Sequence, residues 1–363
     1  MVGAVEIRTT GDFDMQMQLR VVVFTVVVLM MGFTTTAAGQ TALRTPDGQP
    51  DLQGVWDFRT MTPLQRPADQ ERAFLSEEEA ASAEAAANAR RAALLEPSEV
   101  RTELLPAGGT GAERGRRVGG YNDFWLDYGT NIIEDRRTSL IVDPPDGRLP
   151  ALTAEGERLR QVGSLAEDLP IPSPVRVRSA GTGADDPEDR GLAERCLLGF
   201  NSGPPMMPSG YNNNMQLFQT PNHVVILNEM VHDARIIPLD GRPHLPESVR
   251  QWMGDSRGRW EGDTLVVETT NLTELTGSFD PSAMQAIGTG LTVTLTERFT
   301  RIDEDTLLYE YTVDDPAIFT QPFTVAVPMR RNDEPIFEYA CHEGNYGLLN
   351  ILSGARAEEV EQQ

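Results

Sequence analysis

Lysine is missing from this sequence, and basic residues of any kind are outnumbered. All 31 basic residues are arginine, they stand against 55 aspartates and glutamates, and the formal net charge is -24 at pH 7. Proteins that bind nucleic acid neutralise its phosphates with clustered basic residues. The charge balance therefore argues against a nucleic-acid partner, and it disfavours an anionic membrane surface for the same reason.

Long hydrophobic runs are scarce as well. One run, Val21 to Phe33, follows Arg20 and precedes the small-residue stretch Thr34 to Gly39. It is shorter than the roughly 20 apolar residues of a membrane-spanning helix, and its order of charge, apolar run and small residues is typical of a secretory signal. We expect residues 1–39 to be a signal peptide, the mature chain to be secreted or periplasmic, and no integral membrane segment to remain after cleavage.

Cysteine occurs only as Cys196 and Cys341. Two thiols in an exported chain commonly pair in an oxidising compartment, so we predict one disulfide between them. Two alternatives stay open, a pair of buried free thiols and a metal-ligand role for Cys341 beside His342.

Strand patterns dominate the second half of the chain. Apolar and polar residues alternate in Leu291 to Thr296 and in Phe323 to Val327, which is the period of a half-buried strand. Gly262 supplies the positive φ that a hairpin turn between Trp260 and Glu268 requires. Further strands are predicted at 55–58, 215–219, 223–228, 234–238, 306–313 and 336–340. Because such strands must hide their edges, we predict a mainly β fold: an antiparallel meander closed into a lipocalin-like barrel, or alternatively a β-sandwich, with a few peripheral helices.

Helix and linker signals divide the chain further. Ser76 with Glu79 forms a capping-box pattern that predicts a polar helix to Leu95, and Thr153 caps a second helix that runs to Gly163. The stretch 108–120 is rich in glycine and arginine and is typical of a linker. We therefore predict a signal peptide at 1–39, an N-terminal extension with a polar helix and a linker at 40–120, a β-rich core domain at 121–354 and a polar tail at 355–363.

Several short motifs resemble known proteins. The tripeptides Gly54-Val55-Trp56 and Gly258-Arg259-Trp260 resemble the strand openings of lipocalin-like (calycin) barrels, in which the tryptophan plugs one end of the barrel. The segments Thr45 to Trp56, Gln251 to Thr264 and Glu338 to Gly347 together resemble an uncharacterised family of exported bacterial proteins. That resemblance implies secretion, and it carries over no activity and no catalytic residues.

The polar residues that could carry chemistry gather around the four histidines. The candidates for a catalytic cluster at one rim of the barrel are His232, Asp233, Arg235, His244, Asp255, Arg257, His342 and Glu343. Such a cluster would suit a secreted hydrolase or isomerase. A zinc site built from His232, His244, His342 and Glu343 would have the right ligand types, but no His-Glu-x-x-His or Cys-x-x-Cys spacing is present. We predict no metal site, and we read these histidines as residues that cap turns.

Aromatic residues suggest a different function. Trp252, Trp260, Phe323 and Tyr339 are the predicted lining of a barrel pocket for a small apolar or aromatic molecule, and this is our first functional hypothesis. Ser256 lies in Gly254-Asp255-Ser256-Arg257-Gly258, but the sequence around it lacks the strand-to-helix elbow of a nucleophile, and a structural loop explains it better. A third possibility is a scaffold protein of the cell envelope. The sequence points to no particular cofactor.

Overall fold

The computed structural model describes residues 43–95, 127–164, 186–277, 279–282, 285–287 and 290–361. The expected signal peptide and the predicted linker at 108–120 lie outside these residues. The strands are β1 (Gly54–Asp57), β2 (Ile141–Asp143), β3 (Asn214–Gln219), β4 (His223–Asn228), β5 (Ala234–Pro238), β6 (Asp255–Glu261), β7 (Thr264–Thr270), β8 (Phe279–Ser282), β9 (Gln285–Ile287), β10 (Thr294–Arg301), β11 (Thr306–Asp314) and β12 (Phe323–Asn332).

Ten of these strands form one antiparallel sheet. Its order is β5-β4-β3-β1-β12-β11-β10-β7-β6, with β2 paired to β12, while β8 and β9 form a separate hairpin. Alternate residues point into a common core, as the sequence pattern predicts: Leu307, Tyr309, Tyr311 and Val313 of β11 are all fully buried. The mainly β, antiparallel fold with few helices is therefore confirmed.

The predicted closure of the sheet into a barrel is wrong. The sheet stays open between its edge strands β5 and β6, which approach each other through side chains instead of a hydrogen-bonded ladder. At the contact, a β-carbon added to Gly258 of β6 would lie 2.6 Å from Leu239 Cδ2 and 3.0 Å from Ile237 Cγ2. Gly258 therefore lets Ile237 of β5 and the nearby Leu239 pack against the backbone of β6, while no hydrogen-bonded ladder joins the two strands.

Trp56 anchors β1 in the core. Its ring is fully buried, its indole Nε1 donates a hydrogen bond to the Leu52 carbonyl at 2.9 Å, and the Arg301 guanidinium lies 5.4 Å from the ring centroid. A buried indole N–H needs an acceptor, and here the preceding turn supplies it. The first Gly-x-Trp motif thus fixes the start of the sheet.

Three α-helices are present in the described part of the chain. They are α1 (Glu77–Leu95), α2 (Ala154–Ser164) and α3 (Tyr346–Glu361). The predicted capping box is present, because Glu79 N donates to Ser76 Oγ at 3.2 Å and Ser76 N donates to Glu79 Oε2 at 2.8 Å. Helix α3 runs across the predicted boundary between core and tail at residue 354. None of the helices among the described residues combines the length and the apolar composition that crossing a bilayer requires.

The predicted strand at 336–340 is also wrong. Residues 333–340 have no strand conformation, because side chains rather than a neighbouring strand satisfy their backbone. Phe337 N donates to the buried Glu229 Oε1 at 3.2 Å, and His232 Nδ1 lies 3.1 Å from the Tyr339 carbonyl oxygen. The predicted disulfide lies at the end of this segment and is confirmed. Cys196 and Cys341 are bonded, with their Cα atoms 5.7 Å apart.

Candidate functional site

A cleft of about 300 Å³ lies between α1 and the chain segments on either side of it. Six apolar and five polar residues line it: Met61, Thr62, Pro63, Pro67, Asp69, Gln70, Leu75, Ala83, Ile132, Arg137 and Thr138. That mixture and a volume of roughly 300 Å³ fit a site for a small ligand. Sequence reasoning missed it, because its walls come from irregular segments that carry no periodic signal.

Hydrogen bonds hold the walls of the cleft in place. Ile132 N donates to Glu84 Oε1 of α1 at 2.8 Å, and Met61 N donates to the Asn131 carbonyl at 3.0 Å. Arg137, the cation in the lining, is already engaged by Asp135 at 2.6 Å and by the Ser139 carbonyl at 3.1 Å. A ligand would therefore meet a pre-formed, largely apolar surface without a free positive charge.

Three of the predicted catalytic residues, His244, Asp255 and Arg257, do lie together on the outer face of the β6–β7 hairpin. His244 Nδ1 is 2.8 Å from Asp255 Oδ2, and Arg257 Nη1 is 2.8 Å from Asp255 Oδ1. Asp255 is 4 % exposed and also accepts a hydrogen bond from Leu245 N at 3.0 Å. A buried carboxylate thus fixes the orientation of the imidazole.

Glu268 completes this group, and it was not among the sequence candidates. Its Oε1 lies 3.1 Å from His244 Nε2, because β7 pairs Glu268 with Arg257 of β6. The predicted hairpin around Gly262 contained the signal that could have found it, since residues equally distant from the turn face each other across the strands. Ser256 points to the opposite face, where its hydroxyl lies 2.8 Å from Thr269 Oγ1, so it does not belong to this group.

Arg235 lies inside the sheet and is separate from the histidines. Its guanidinium forms a bidentate ion pair with Glu297 of β10, in which Nη2 and Oε1 are 2.8 Å apart. The Tyr309 hydroxyl donates to Glu297 Oε1 at 2.8 Å and accepts from Met206 N at 3.1 Å. Burial raises the pKa of Tyr309 well above its ordinary value, so the hydroxyl keeps its proton as a donor. This is a structural cross-link.

His232 and Asp233 are the last two residues of the segment that connects β4 to β5. Val231 and His232 both have a left-handed backbone, with φ of 62° and 49°. Such a conformation costs roughly 1 kcal/mol or more for a non-glycine residue, and most for a β-branched one. Burial raises the pKa of the Asp233 carboxyl to about 6, although the neighbouring His232 acts in the opposite direction.

His342 and Glu343 are exposed, immediately after the disulfide. Among the described residues, no three His, Cys, Asp or Glu side chains are grouped so that they could hold a metal ion. The residues proposed for a zinc site are therefore not gathered into one.

The four predicted pocket aromatics lie in three different hydrophobic clusters. Phe323 and Trp260 belong to the main core, Trp252 packs beside Leu192 and Leu198, and Tyr339 packs beside the disulfide. The interior of the sheet is filled by its own side chains and by residues 201–207, which are all buried. The structure does not bring the four rings to one cavity.

Comparisons with models of protein families, with curated proteins and with solved structures found no match. Function is therefore inferred from the geometry of these residues alone.

Proposed function

We propose that this protein binds a small, mainly apolar molecule, and that the cleft beside α1 is its binding site. The single observation that supports this is the cleft itself: about 300 Å³, with apolar walls and a few hydroxyl, amide and carboxylate groups. The binding hypothesis from the sequence is kept, but its location moves from the sheet interior to the outside, because the interior is packed.

The polar groups of the cleft indicate the class of ligand. Thr62 Oγ1 already accepts from Ile133 N, and Thr138 Oγ1 already donates to the Arg72 carbonyl at 2.8 Å. Arg137 is paired with Asp135, and its Nε and Nη2 donate to the carbonyls of Ser139 and Ala326, so an anionic ligand gains no unpaired cation here. A neutral aromatic or aliphatic molecule, whose affinity comes from buried apolar area, fits these walls best.

Filling the cleft tests the proposal. Ala83 lines it from α1, whereas Ala85 of the same helix is exposed outside it. Ala83→Trp should weaken the binding of apolar ligands by at least tenfold, because an indole occupies the ligand's volume, and Ala85→Trp should leave binding unchanged. The measurement is a screen of the delipidated mature chain by thermal shift, followed by calorimetric titration of the hits. Equal affinity in both variants, or no hit from a broad apolar panel, would refute the proposal.

A second candidate function is acid–base catalysis at His244. The observation in its favour is that hydrogen bonds hold the imidazole between the buried Asp255 at Nδ1 and Glu268 at Nε2, a unit that can pass a proton between the imidazole and the partly exposed Glu268 carboxylate. His244 is one-quarter exposed, so a substrate can reach it.

This candidate predicts a steep loss of any hydrolase or isomerase activity found for the protein. His244→Gln should lower kcat/KM by about 100-fold or more, a typical contribution of general acid–base catalysis, while His223→Gln at the start of β4 should not. Steady-state kinetics on ester, lactone and enolisable substrates provide the measurement. Activity that survives His244→Gln unchanged would assign the group a structural role.

We also propose that the protein acts outside the cytoplasm. The signal-like order of residues 20–39 and the disulfide both support export. Intact mass of the protein recovered from culture medium or periplasm should show cleavage near Ala38 or Gly39, and a full-length cytoplasmic product would contradict it. The alternative of a β-sandwich arrangement for the open sheet stays a prediction.

A further inference from the structure

Three buried side-chain oxygen atoms, in the β4–β5 link region and in the segment 199–213, have no hydrogen-bond donor among the described residues. They are Asn201 Oδ1, Asn228 Oδ1 and Asp233 Oδ2. Asn201 and Asn228 are 1 % and 3 % exposed. Buried acceptors of this kind are rare in folded proteins, and an ion or a water molecule is a common explanation.

The orientation of both amides is fixed by their nitrogen atoms. Asn228 Nδ2 donates to the Ser202 carbonyl at 2.7 Å, and Asn201 Nδ2 donates to the Tyr211 carbonyl at 3.0 Å. Turning either amide round would place its oxygen against a carbonyl oxygen. The amide oxygens are therefore the atoms that need a positive partner.

The strand pairing brings Asn228 and Asp233 to the same face. Asn228 N donates to the Asp233 carbonyl at 3.0 Å, which extends the β4–β5 ladder by one pair beyond Leu227 and Ala234. Residues opposite each other in an antiparallel ladder project to the same side, with Cβ atoms roughly 5 Å apart. Asn228 Nδ2 also donates to the carbonyl of Ser202, the residue that follows Asn201, so the segment that carries Asn201 contacts this end of the ladder.

Asp233 has no arginine partner among the described residues, and its electrostatic neighbour is the adjacent His232. Among the described residues, the ion pairs do not include Asp233. Arg235, two residues along the same strand, is held by Glu297, and His232 directs Nδ1 to the Tyr339 carbonyl. One carboxylate and two amide oxygens, all acceptors, are the ligand set that hard cations prefer.

We propose that Asn201, Asn228 and Asp233 contribute side-chain oxygens to a buried site for a divalent cation of the calcium type, enclosed between the β4–β5 link and the segment 199–213. Water and backbone carbonyls complete the coordination of the ion. The cation joins the covering segment to the hairpin and stabilises the fold. This site is separate from the cleft beside α1 and independent of its function.

Calcium binding by the full mature chain tests the proposal. After treatment with EGTA and dialysis into 0.15 M NaCl, titration with CaCl2 should show one saturable site by calorimetry and raise Tm by several degrees, because binding to the folded state alone stabilises it. Asp233→Asn should weaken that binding at least tenfold. Asp47→Asn makes the same charge change in an exposed turn, and should leave it unchanged.

A second measurement keeps the test independent of the folding of the variant. Terbium, which occupies calcium sites, should bind the unmodified chain with tyrosine- or tryptophan-sensitised luminescence and be displaced by calcium. No calcium effect on Tm after EGTA, equal weakening by Asp233→Asn and Asp47→Asn, or a higher Tm of Asp233→Asn with no response to calcium would each overturn the proposal. The last result would show that a proton or water satisfies these oxygens.

Discussion

Gly258 shows how one residue sets the packing between the two edge strands of the sheet. The absence of a β-carbon lets Ile237 and Leu239 pack directly against the backbone of the opposite edge strand. The Gly-x-Trp motif drew attention to Gly258 in the sequence. The residues that Gly258 contacts belong to a different hairpin, however, and no local sequence pattern predicts such contacts. Gly262, by contrast, was predicted correctly as a turn residue with positive φ, at 61°, because turn chemistry is local.

Replacing Gly258 should therefore be costly. Gly258→Ala inserts a methyl group where two side chains already lie within 3.0 Å of its position, and overpacking of this kind typically costs about 1 to 3 kcal/mol of the free energy of unfolding. Gly344→Ala is the matched control, since no atom lies within 4 Å of its added β-carbon. Urea unfolding of both variants measures the difference, and equal midpoints would mean that β5 and β6 move apart at little cost.

At the scale of elements, strands and helices were predictable wherever a local signal existed. The capping box at Ser76 and the strand predicted at 306–313 match α1 and β11 to within a residue. The alternation in 291–296 and 323–327 located β10 and β12, but residues 291–293 are not in a strand and the two strands run on to Arg301 and Asn332. Segment 336–340 failed because its backbone bonds go to the side chains of Glu229 and His232, which come from a distant part of the chain. The positions of the candidate histidines also depend on contacts that are distant in sequence. His244 lies beside Asp255 and Arg257, while His232 and His342 lie elsewhere, near the disulfide.

The Arg235–Glu297 pair connects β5 with β10 across the core, and breaking one side of it should destabilise the fold strongly. Arg235→Met leaves the Glu297 carboxylate, 0 % exposed, without its cation, and an uncompensated buried charge costs about 3 to 5 kcal/mol. The double variant Arg235→Met/Glu297→Leu should recover part of that loss, because it removes the uncompensated charge but leaves the buried Tyr309 hydroxyl without its Glu297 acceptor. Chemical denaturation of the wild type, the single variant and the double variant measures their free energies of unfolding. A single variant as stable as the wild type would mean that water reaches Glu297.

At the scale of the whole molecule, the disulfide connects parts of the chain that are far apart in sequence. Its two cysteines are separated by 145 residues, and the loop contains most of the sheet. In the loop-entropy model, closing a loop of that length adds roughly 4 to 5 kcal/mol to the free energy of unfolding, less any strain in the folded state. Asn345 Nδ2 adds a hydrogen bond of 2.6 Å to the Glu194 carbonyl, so the segment before α3 is fixed at the same place.

Removing the disulfide should therefore loosen one end of the molecule before the sheet. Cys196→Ser/Cys341→Ser should lower the free energy of unfolding by about 2 to 5 kcal/mol, and hydrogen exchange should rise first in residues 339–361 and 192–200, which this bond holds together. Exchange in β11, whose inward-facing side chains are fully buried, should change only with global stability. Equal acceleration of hydrogen exchange in both regions would instead mean that the C-terminal segment and the sheet unfold as one cooperative unit. The disulfide would then stabilise the protein only by restricting the unfolded chain.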